Sequence, residues 1–213
     1  MCGIGADALF PGPRSASDRV LARCQAVRVF LDFEASSLSD ESYPIEVAWV
    51  FEDGRGEAHL IRPAPGWEEW SAAAEDIHRI PRAILKAAGM PHDAVARRMV
   101  ETLAGHDLLA TAPSWDGKWL SVLLRAAGLP RRALRLRDTE EAQQEAAERI
   151  LARVVDPAQL SDAAEQVVTL VGLRRANRAP AHRALADAEE ERDRWLDVVA
   201  AAEEYAAALR SNR

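Results

Sequence analysis

The sequence predicts an α/β protein with a mixed β-sheet, in which three antiparallel strands come first and parallel strands follow. Three observations support this fold class. Asp53-Gly54, a dipeptide typical of β-hairpin turns, lies between two runs of strand-forming residues. Short apolar runs then alternate with helical patterns, as the crossover connections of parallel strands require. Residues 182–210 are rich in Ala and Glu, which indicates a long C-terminal helix.

We expect the three antiparallel strands in the first part of the domain. Residues 26–33 form a short apolar run of the kind that marks a buried strand. A polar loop over residues 36–43 separates it from a second strand, which Pro44 opens and residues 45–51 continue. After the turn, residues 56–63 predict the third strand.

Helices and shorter strands follow. Residues 67–80 predict a loop with short helical pieces, and Pro81 is suited to begin a helix that ends near Gly89. Apolar residues at helical spacing predict the next helix over residues 93–103. The remaining elements, which complete a five-stranded sheet flanked by helices, are predicted at residues 107–112 (strand), 115–128 (helix), 133–137 (strand), 139–153 (helix), 157–175 (helix) and 182–210 (helix).

The chain has 213 residues, which is enough for one domain with a buried core. Residues 1–25 mix Gly, Pro, Ser and Ala and predict a loose N-terminal segment, which leaves a single domain over residues 26–213. The cysteines are Cys2 and Cys24, and no Cys-x-x-Cys motif occurs. This pattern excludes a cysteine-based zinc site and suits a reducing compartment.

Composition also limits the function. The first residues do not resemble a secretory signal, and no apolar run approaches the roughly 20 residues that span a bilayer. We therefore expect a cytoplasmic protein with no membrane partner. The net charge of −7 argues against a protein that coats nucleic acid, because it supplies no global basic field. It argues less against an enzyme that holds only a strand end, since metal ions can supply local positive charge.

Asp32 and Glu34 stand at the end of the first strand. Residues two positions apart on a strand point to the same face, so the two carboxylates project together while Phe33 faces the core. Adjacent carboxylates repel each other unless a cation lies between them, and carboxylate oxygens suit Mg²⁺ or Mn²⁺. A solvated strand end is the alternative interpretation of this pair.

Three further residues fall where such a site would need them. Asp116 follows the fourth predicted strand, at the start of a helix, where an acid also suits the helix dipole without any other role. His182 and Asp187 are five residues apart, or about 140° on a regular helix. They share a site only if His182 lies in the irregular entry to the helix, which Pro180 favours. Otherwise Asp187 belongs to a solvated acidic face.

These motifs together resemble those of the DEDDh exonucleases. This family of ribonuclease H-like 3′–5′ exonucleases includes the polymerase III proofreading subunit, ribonuclease T and oligoribonuclease. The resemblance rests on three motifs in the family's order, F-L-D-F-E-A-S-S-L (30–38), A-P-S-W-D-G-K-W-L (112–120) and H-R-A-L-A-D (182–187). It implies a ribonuclease H-like fold. D-I-H-R-I (76–80) is similar to the family's I-H-G-I stretch, with Arg79 in place of glycine. The asparagine that often stands four residues before the second motif's aspartate is missing.

The resemblance implies a role for each catalytic residue. Asp32 would bridge two divalent ions, Mg²⁺ or Mn²⁺, about 4 Å apart. Glu34 and Asp187 would help to hold the ion that carries the attacking water, and Asp116 would support the second ion. His182 would be the general base, because the ordinary pKa of histidine, about 6.5, suits neutral pH. The reaction would be hydrolysis of the terminal phosphodiester, with release of a nucleoside 5′-monophosphate.

The substrate would be the 3′ end of single-stranded RNA or DNA. Leu38, Ile77 and His78 stand where the family flanks the terminal base, and the backbone from Ala35 to Ser37 could approach the terminal sugar. A basic group flanks the predicted base and either contacts substrate phosphates or forms a solvated surface. Its members are Arg174, Arg175, Arg178 and Arg183.

Two other functions stay open at this point. A catalytically idle ribonuclease H-like module could bind nucleic acid or a protein, although such a module has no need of four carboxylates and an imidazole in this arrangement. A metal phosphodiesterase could act on small nucleotides. The long C-terminal helix could pack on its own domain or on a second copy in a homodimer. Glu46, on the second strand, is interpreted as structural.

Overall fold

The computed structural model describes residues 26–177 and 179–211 of the chain, so the predicted N-terminal segment lies outside the described residues. The strands in chain order are β1 (Arg28–Ala35), β2 (Pro44–Phe51), β3 (Gly56–Arg62), β4 (Met90–Pro91), β5 (Asp107–Ala110) and β6 (Leu136–Asp138). The helices are α1 (Ala72–His78), α2 (Arg82–Ala88), α3 (His92–Leu103), α4 (Pro113–Ala126), α5 (Thr139–Leu151), α6 (Leu160–Arg175) and α7 (Ala184–Ser211), with a 3₁₀ turn at Pro157–Gln159.

The sheet has six strands in the order β4-β3-β2-β1-β5-β6. Strand β2 pairs antiparallel with both β1 and β3. Strand β5 pairs parallel with both β1 and β6. This arrangement confirms the predicted mixed sheet. It also places β1, which carries the first acidic motif, between two neighbours near the centre of the sheet.

The sixth strand, β4, was not expected. It has two residues, pairs parallel with β3, and is too short to produce a periodic pattern. Gly89, immediately before it, permits the close approach. A Cβ at this position would lie 2.4 Å from the Leu85 carbonyl oxygen and 2.7 Å from the Arg62 backbone nitrogen. The sheet therefore gains an edge strand whose position depends on backbone packing.

Side chains of β1 alternate between two helical layers. Leu31 and Phe33 face a core shared with α3 and α4, which includes Trp119. Phe30 faces the opposite side, where its ring centroid lies 6.1 Å from that of Trp195 on α7. Because Asp32 has the same parity as Phe30, the acidic residues of β1 face the layer that contains α7.

The predicted C-terminal helix is confirmed as α7, and it packs on its own domain. Its residues Val198, Ala202 and Ala206 are buried in a cluster with apolar side chains of α5 and α6. None of the helices within the described ranges is long and apolar enough to cross a membrane. The packing of α7 on α5 and α6 holds the first turn of α7 over the end of β1.

Several predicted bounds differ from the observed ones, such as that of β6 (Leu136–Asp138), which was predicted over 133–137, and two of the differences have a local physical reason. The strand predicted over 107–112 ends at Ala110, and Pro113 begins α4, because proline suits the first turn of a helix. The helix predicted over 157–175 begins with a 3₁₀ turn, in which the Asp156 side chain accepts a hydrogen bond from the Ala158 amide at 2.8 Å. Neither difference moves a predicted site residue.

Replacing Trp195 with Ala should lower the free energy of unfolding by about 3–5 kcal/mol. The indole is 4% exposed, contacts Phe30, and lies under the Arg28 guanidinium at 4.5 Å. Urea denaturation measures the change. Leu173→Ala is the control, since that side chain is 69% exposed and its loss should change stability by less than about 0.5 kcal/mol. Equal effects of the two substitutions would contradict the packing described for α7.

Candidate active site

Three carboxylates from two elements meet at the end of β1. Asp32 and Glu34 project from the strand, and Asp187 projects from the first turn of α7. One oxygen of each carboxylate lies within 4.8 Å of one from the others, so the three could hold a metal ion. The structure thus brings together the first and third acidic motifs, which are about 150 residues apart in the sequence.

The negative charges of these carboxylates repel one another. Burial raises the pKa of Asp32 well above its usual range, and the charges of Asp116 and Glu34 raise it further. Burial likewise raises the pKa of Glu34 to about 7, with a further contribution from Asp187. Without a cation, the cluster therefore retains protons near neutral pH.

Asp116 lies in the first turn of α4, where it is buried. Burial raises its pKa to about 7, although backbone hydrogen bonds, including one to Phe33, act in the opposite direction. Its oxygens are not among the three that lie within 4.8 Å of one another. Its charge nevertheless acts on Asp32, which places Asp116 beside the cluster.

His182 precedes α7 and is exposed, with a left-handed backbone at φ 53°. The Asp187 carboxylate accepts hydrogen bonds from the two amides that flank His182, from Ala181 at 2.8 Å and from Arg183 at 3.1 Å. His182 therefore lies in an irregular turn, as the five-residue spacing required. This turn, rather than a helical face, brings His182 and Asp187 into one region.

The donor set fits a hard divalent cation. Hard cations prefer carboxylate oxygens, and three half-buried carboxylates supply them from rigid elements. A bound cation would stabilise the ionised carboxylates that burial and mutual repulsion disfavour. Among the residues that the structure describes, the group contains carboxylates alone.

The five predicted substrate-binding residues divide into two sets. Leu38 and Ile77 have exposed apolar side chains, at 70% and 54% exposure. Ala35 and Ser37 are buried, as is His78 at 2% exposure. The His78 Nδ1 accepts a hydrogen bond from the Ile80 amide at 3.0 Å, and burial lowers the pKa of the imidazole. Arg79, where the family has glycine, adopts a left-handed φ of 56°, the conformation that favours glycine.

Two members of the predicted basic group, Arg175 and Arg183, form ion pairs within the protein. Arg175 forms ion pairs with Glu190 and with Asp197, the latter at 2.7 Å. Arg183 forms a bidentate ion pair with Glu46. Arg178 lies outside the described residues. Contact of this group with substrate phosphates stays a prediction.

Sequence reasoning missed the contacts that two residues beside the site make. Glu46 is buried on β2 and connects to the start of α7. The sequence feature that could have indicated this role is a carboxylate within the apolar run P-I-E-V-A-W-V-F. Lys118 of α4 donates hydrogen bonds to Ser39 and Ser42, which fixes the loop that carries Leu38 against α4. Nothing local in the sequence indicates that contact.

No family model matches the chain, and no curated protein matches it. Solved structures of Escherichia coli exonuclease I match the chain in fold. The zinc-bound form of its complex with single-stranded DNA has a TM-score of 0.57 at 16% identity, over 79% of this chain and 39% of that one. Its complex with a dA16 oligonucleotide has a TM-score of 0.58 at 16% identity, over 85% of this chain and 43% of that one.

The likeness establishes the fold. The chain has the ribonuclease H-like α/β fold of exonuclease I, as the motifs implied, and it spans about two fifths of the length of that protein's structures. At this level of identity, activity has to be argued from the site itself.

The metal-free protein should become less stable between about pH 4.5 and 7 because of Glu34. The pKa of this group is about 7 in the folded protein against an ordinary 4.5, so over this range the folded state keeps a proton that the unfolded chain has released. Thermal unfolding in EDTA should show this as a melting temperature that falls, relative to Glu34→Gln, by roughly 5 °C from pH 5 to 8.

Adding Mg²⁺ or Mn²⁺ at pH 8 should restore the stability of the wild type and leave that of Asp32→Asn unchanged, because the variant lacks one of the three clustered carboxylates. A parallel pH dependence of wild type and Glu34→Gln would contradict the raised pKa.

Proposed function

We propose that this protein is a metal-dependent 3′–5′ exonuclease. It would hydrolyse the terminal phosphodiester of single-stranded RNA or DNA and release a nucleoside 5′-monophosphate. The observation that carries the proposal is the meeting of Asp32, Glu34 and Asp187 beside the turn of His182. The fold shared with exonuclease I, whose structures include complexes with single-stranded DNA, supports it.

Each residue has a task that its position allows. Asp32, Glu34 and Asp187 would hold Mg²⁺ or Mn²⁺, with Asp116 next to them. When bound, the ions would supply charge stabilisation to the phosphate and acidify the attacking water. The exposed Leu38 and Ile77 would contact the terminal base without reading its identity.

His182 would accept the proton of the attacking water. The water oxygen forms a bond to phosphorus, and the bond from phosphorus to the 3′ oxygen of the preceding nucleotide breaks. That oxygen gains a proton and becomes the new 3′ end, while the phosphate leaves on the released nucleotide. The exposure of His182 suits this role, because the proton can then pass to solvent.

The test is an assay with single-stranded RNA and DNA labelled at the 5′ end, in Mg²⁺ or Mn²⁺. We expect stepwise shortening from the 3′ end, abolished by EDTA and by Asp32→Asn. His182→Ala should lower kcat about 10²- to 10⁴-fold, the usual cost of losing a general base. Thermal unfolding of Asp32→Asn serves as the control, because removing a repelled charge should not destabilise the metal-free fold.

Two outcomes would contradict the proposal. An absence of shortening with either polymer would leave a binding module as the better interpretation. Cleavage confined to mononucleotide-sized phosphodiesters would instead favour an enzyme of small nucleotides.

A further inference from the structure

Glu46 is a buried carboxylate in the middle of an apolar strand. It lies on β2 directly opposite Glu34 of β1, and it is 3% exposed. Burying a carboxylate is costly unless hydrogen-bond donors or a positive charge compensate it. The partners of Glu46 are therefore expected to matter more than those of a surface acid.

Within the described part of the chain, the hydrogen-bond donors to Glu46 lie at the start of α7. Arg183 donates from Nε at 3.1 Å and from a terminal nitrogen at 2.7 Å, one hydrogen bond to each carboxylate oxygen. The Ala184 amide, the first of α7, donates at 3.1 Å. A bidentate arginine fixes orientation as well as distance, and the first amides of a helix have no partner within the helix. We call Glu46, Arg183 and the Ala184 amide the Glu46 clamp.

The turn of His182 is thus held from two sides. Asp187 accepts hydrogen bonds from the Ala181 and Arg183 amides, on the helix side of the turn. The Glu46 clamp holds the Arg183 side chain and the Ala184 amide on the sheet side. His182 lies between these contacts with a left-handed φ of 53°, a conformation that is uncommon for residues other than glycine.

We infer that Glu46 and Arg183 are positioning residues, which fix the turn that carries His182 beside the carboxylate cluster. The inference rests on the proposed function, in which His182 receives the proton. Glu46 and Glu34 are opposite each other in the strand register. The clamp therefore attaches the His182 turn to β2 at the position where β1 carries the acidic cluster. Neither positioning residue needs to touch substrate.

Arg183→Ala and Glu46→Gln test the clamp. The Arg183 side chain is 53% exposed, so its removal opens no cavity in the core. Each substitution should lower kcat about 10- to 100-fold, the effect of a misplaced catalytic group, while KM for the oligonucleotide changes less than about 3-fold. Arg183→Lys, which keeps the charge and loses the bidentate geometry, should recover part of kcat.

The matched control is Arg98→Ala. Arg98 forms a bidentate pair with Glu57 on β3, at 3.0 and 2.6 Å, and a second ion pair with Glu101 of α3, both outside the candidate site. It therefore reports the loss of an arginine–carboxylate pair from the same sheet. We expect its kcat to stay within about 2-fold of wild type.

A double-mutant cycle separates positioning from general destabilisation. In a His182→Ala background, Arg183→Ala should lower kcat less than about 3-fold, because the group that it positions is gone. Amide hydrogen exchange gives a readout without activity, since the Ala184 amide should exchange faster in both clamp variants and not in Arg98→Ala.

Three results would overturn the inference. One is a kcat for Arg183→Ala equal to that of Arg98→Ala. Another is a full effect of Arg183→Ala in the His182→Ala background. A rise in KM with unchanged kcat would assign Arg183 to phosphate binding instead. An inactive wild type would remove the proposed function itself, whereas the three results above concern an active wild type and remove the clamp alone.

Discussion

Repulsion among half-buried carboxylates is the constraint on which this structure depends. Asp32, Glu34 and Asp187 lie close enough to share one ion, and Asp116 is buried beside them. Burial and like charges raise the pKa of Asp32, and they raise that of Glu34 to about 7. Such a cluster weakens the fold at the pH where it is ionised, so a cation or bound protons must compensate it.

The rest of the fold holds these charges in place despite that cost. Strand β1 is paired on both sides and packed between two helical layers, with Phe30 against Trp195 of α7. The same helix supplies Asp187, and its first amide is bound by Glu46 of β2. The packing that buries α7 and the contacts that orient its first turn therefore act together on one site.

Much of this could be predicted from sequence because its causes are local. The acidic pair of β1 follows from a two-residue period at the end of an apolar run, and Asp116 follows from a strand that ends before a helix. His182 and Asp187 required one extra step, an irregular turn before α7, which the left-handed His182 backbone confirms.

What could not be predicted arises from contacts between distant residues. Arg183 and Glu46 are 137 positions apart. Nothing in the sequence around Arg183, which lies near three other arginines, indicates that Glu46 is its partner. The apolar run around Glu46 suggested a structural role without indicating what it supports. Residue type would predict an exposed His78 and a buried Ile77, whereas the structure buries His78 and exposes Ile77. The two-residue strand β4 depends on the space beside Gly89.

The central claim is that the carboxylate cluster is a divalent-metal site whose protons the metal displaces. Calorimetric titration of the protein with Mn²⁺ at pH 7, in two buffers of different ionisation enthalpy, tests it most directly. Since the pKa values of Glu34 and Asp116 are about 7, binding should release at least about one proton per protein, and Asp32→Asn should not bind. Binding heats that are equal in the two buffers, or unchanged in Asp32→Asn, would contradict the account.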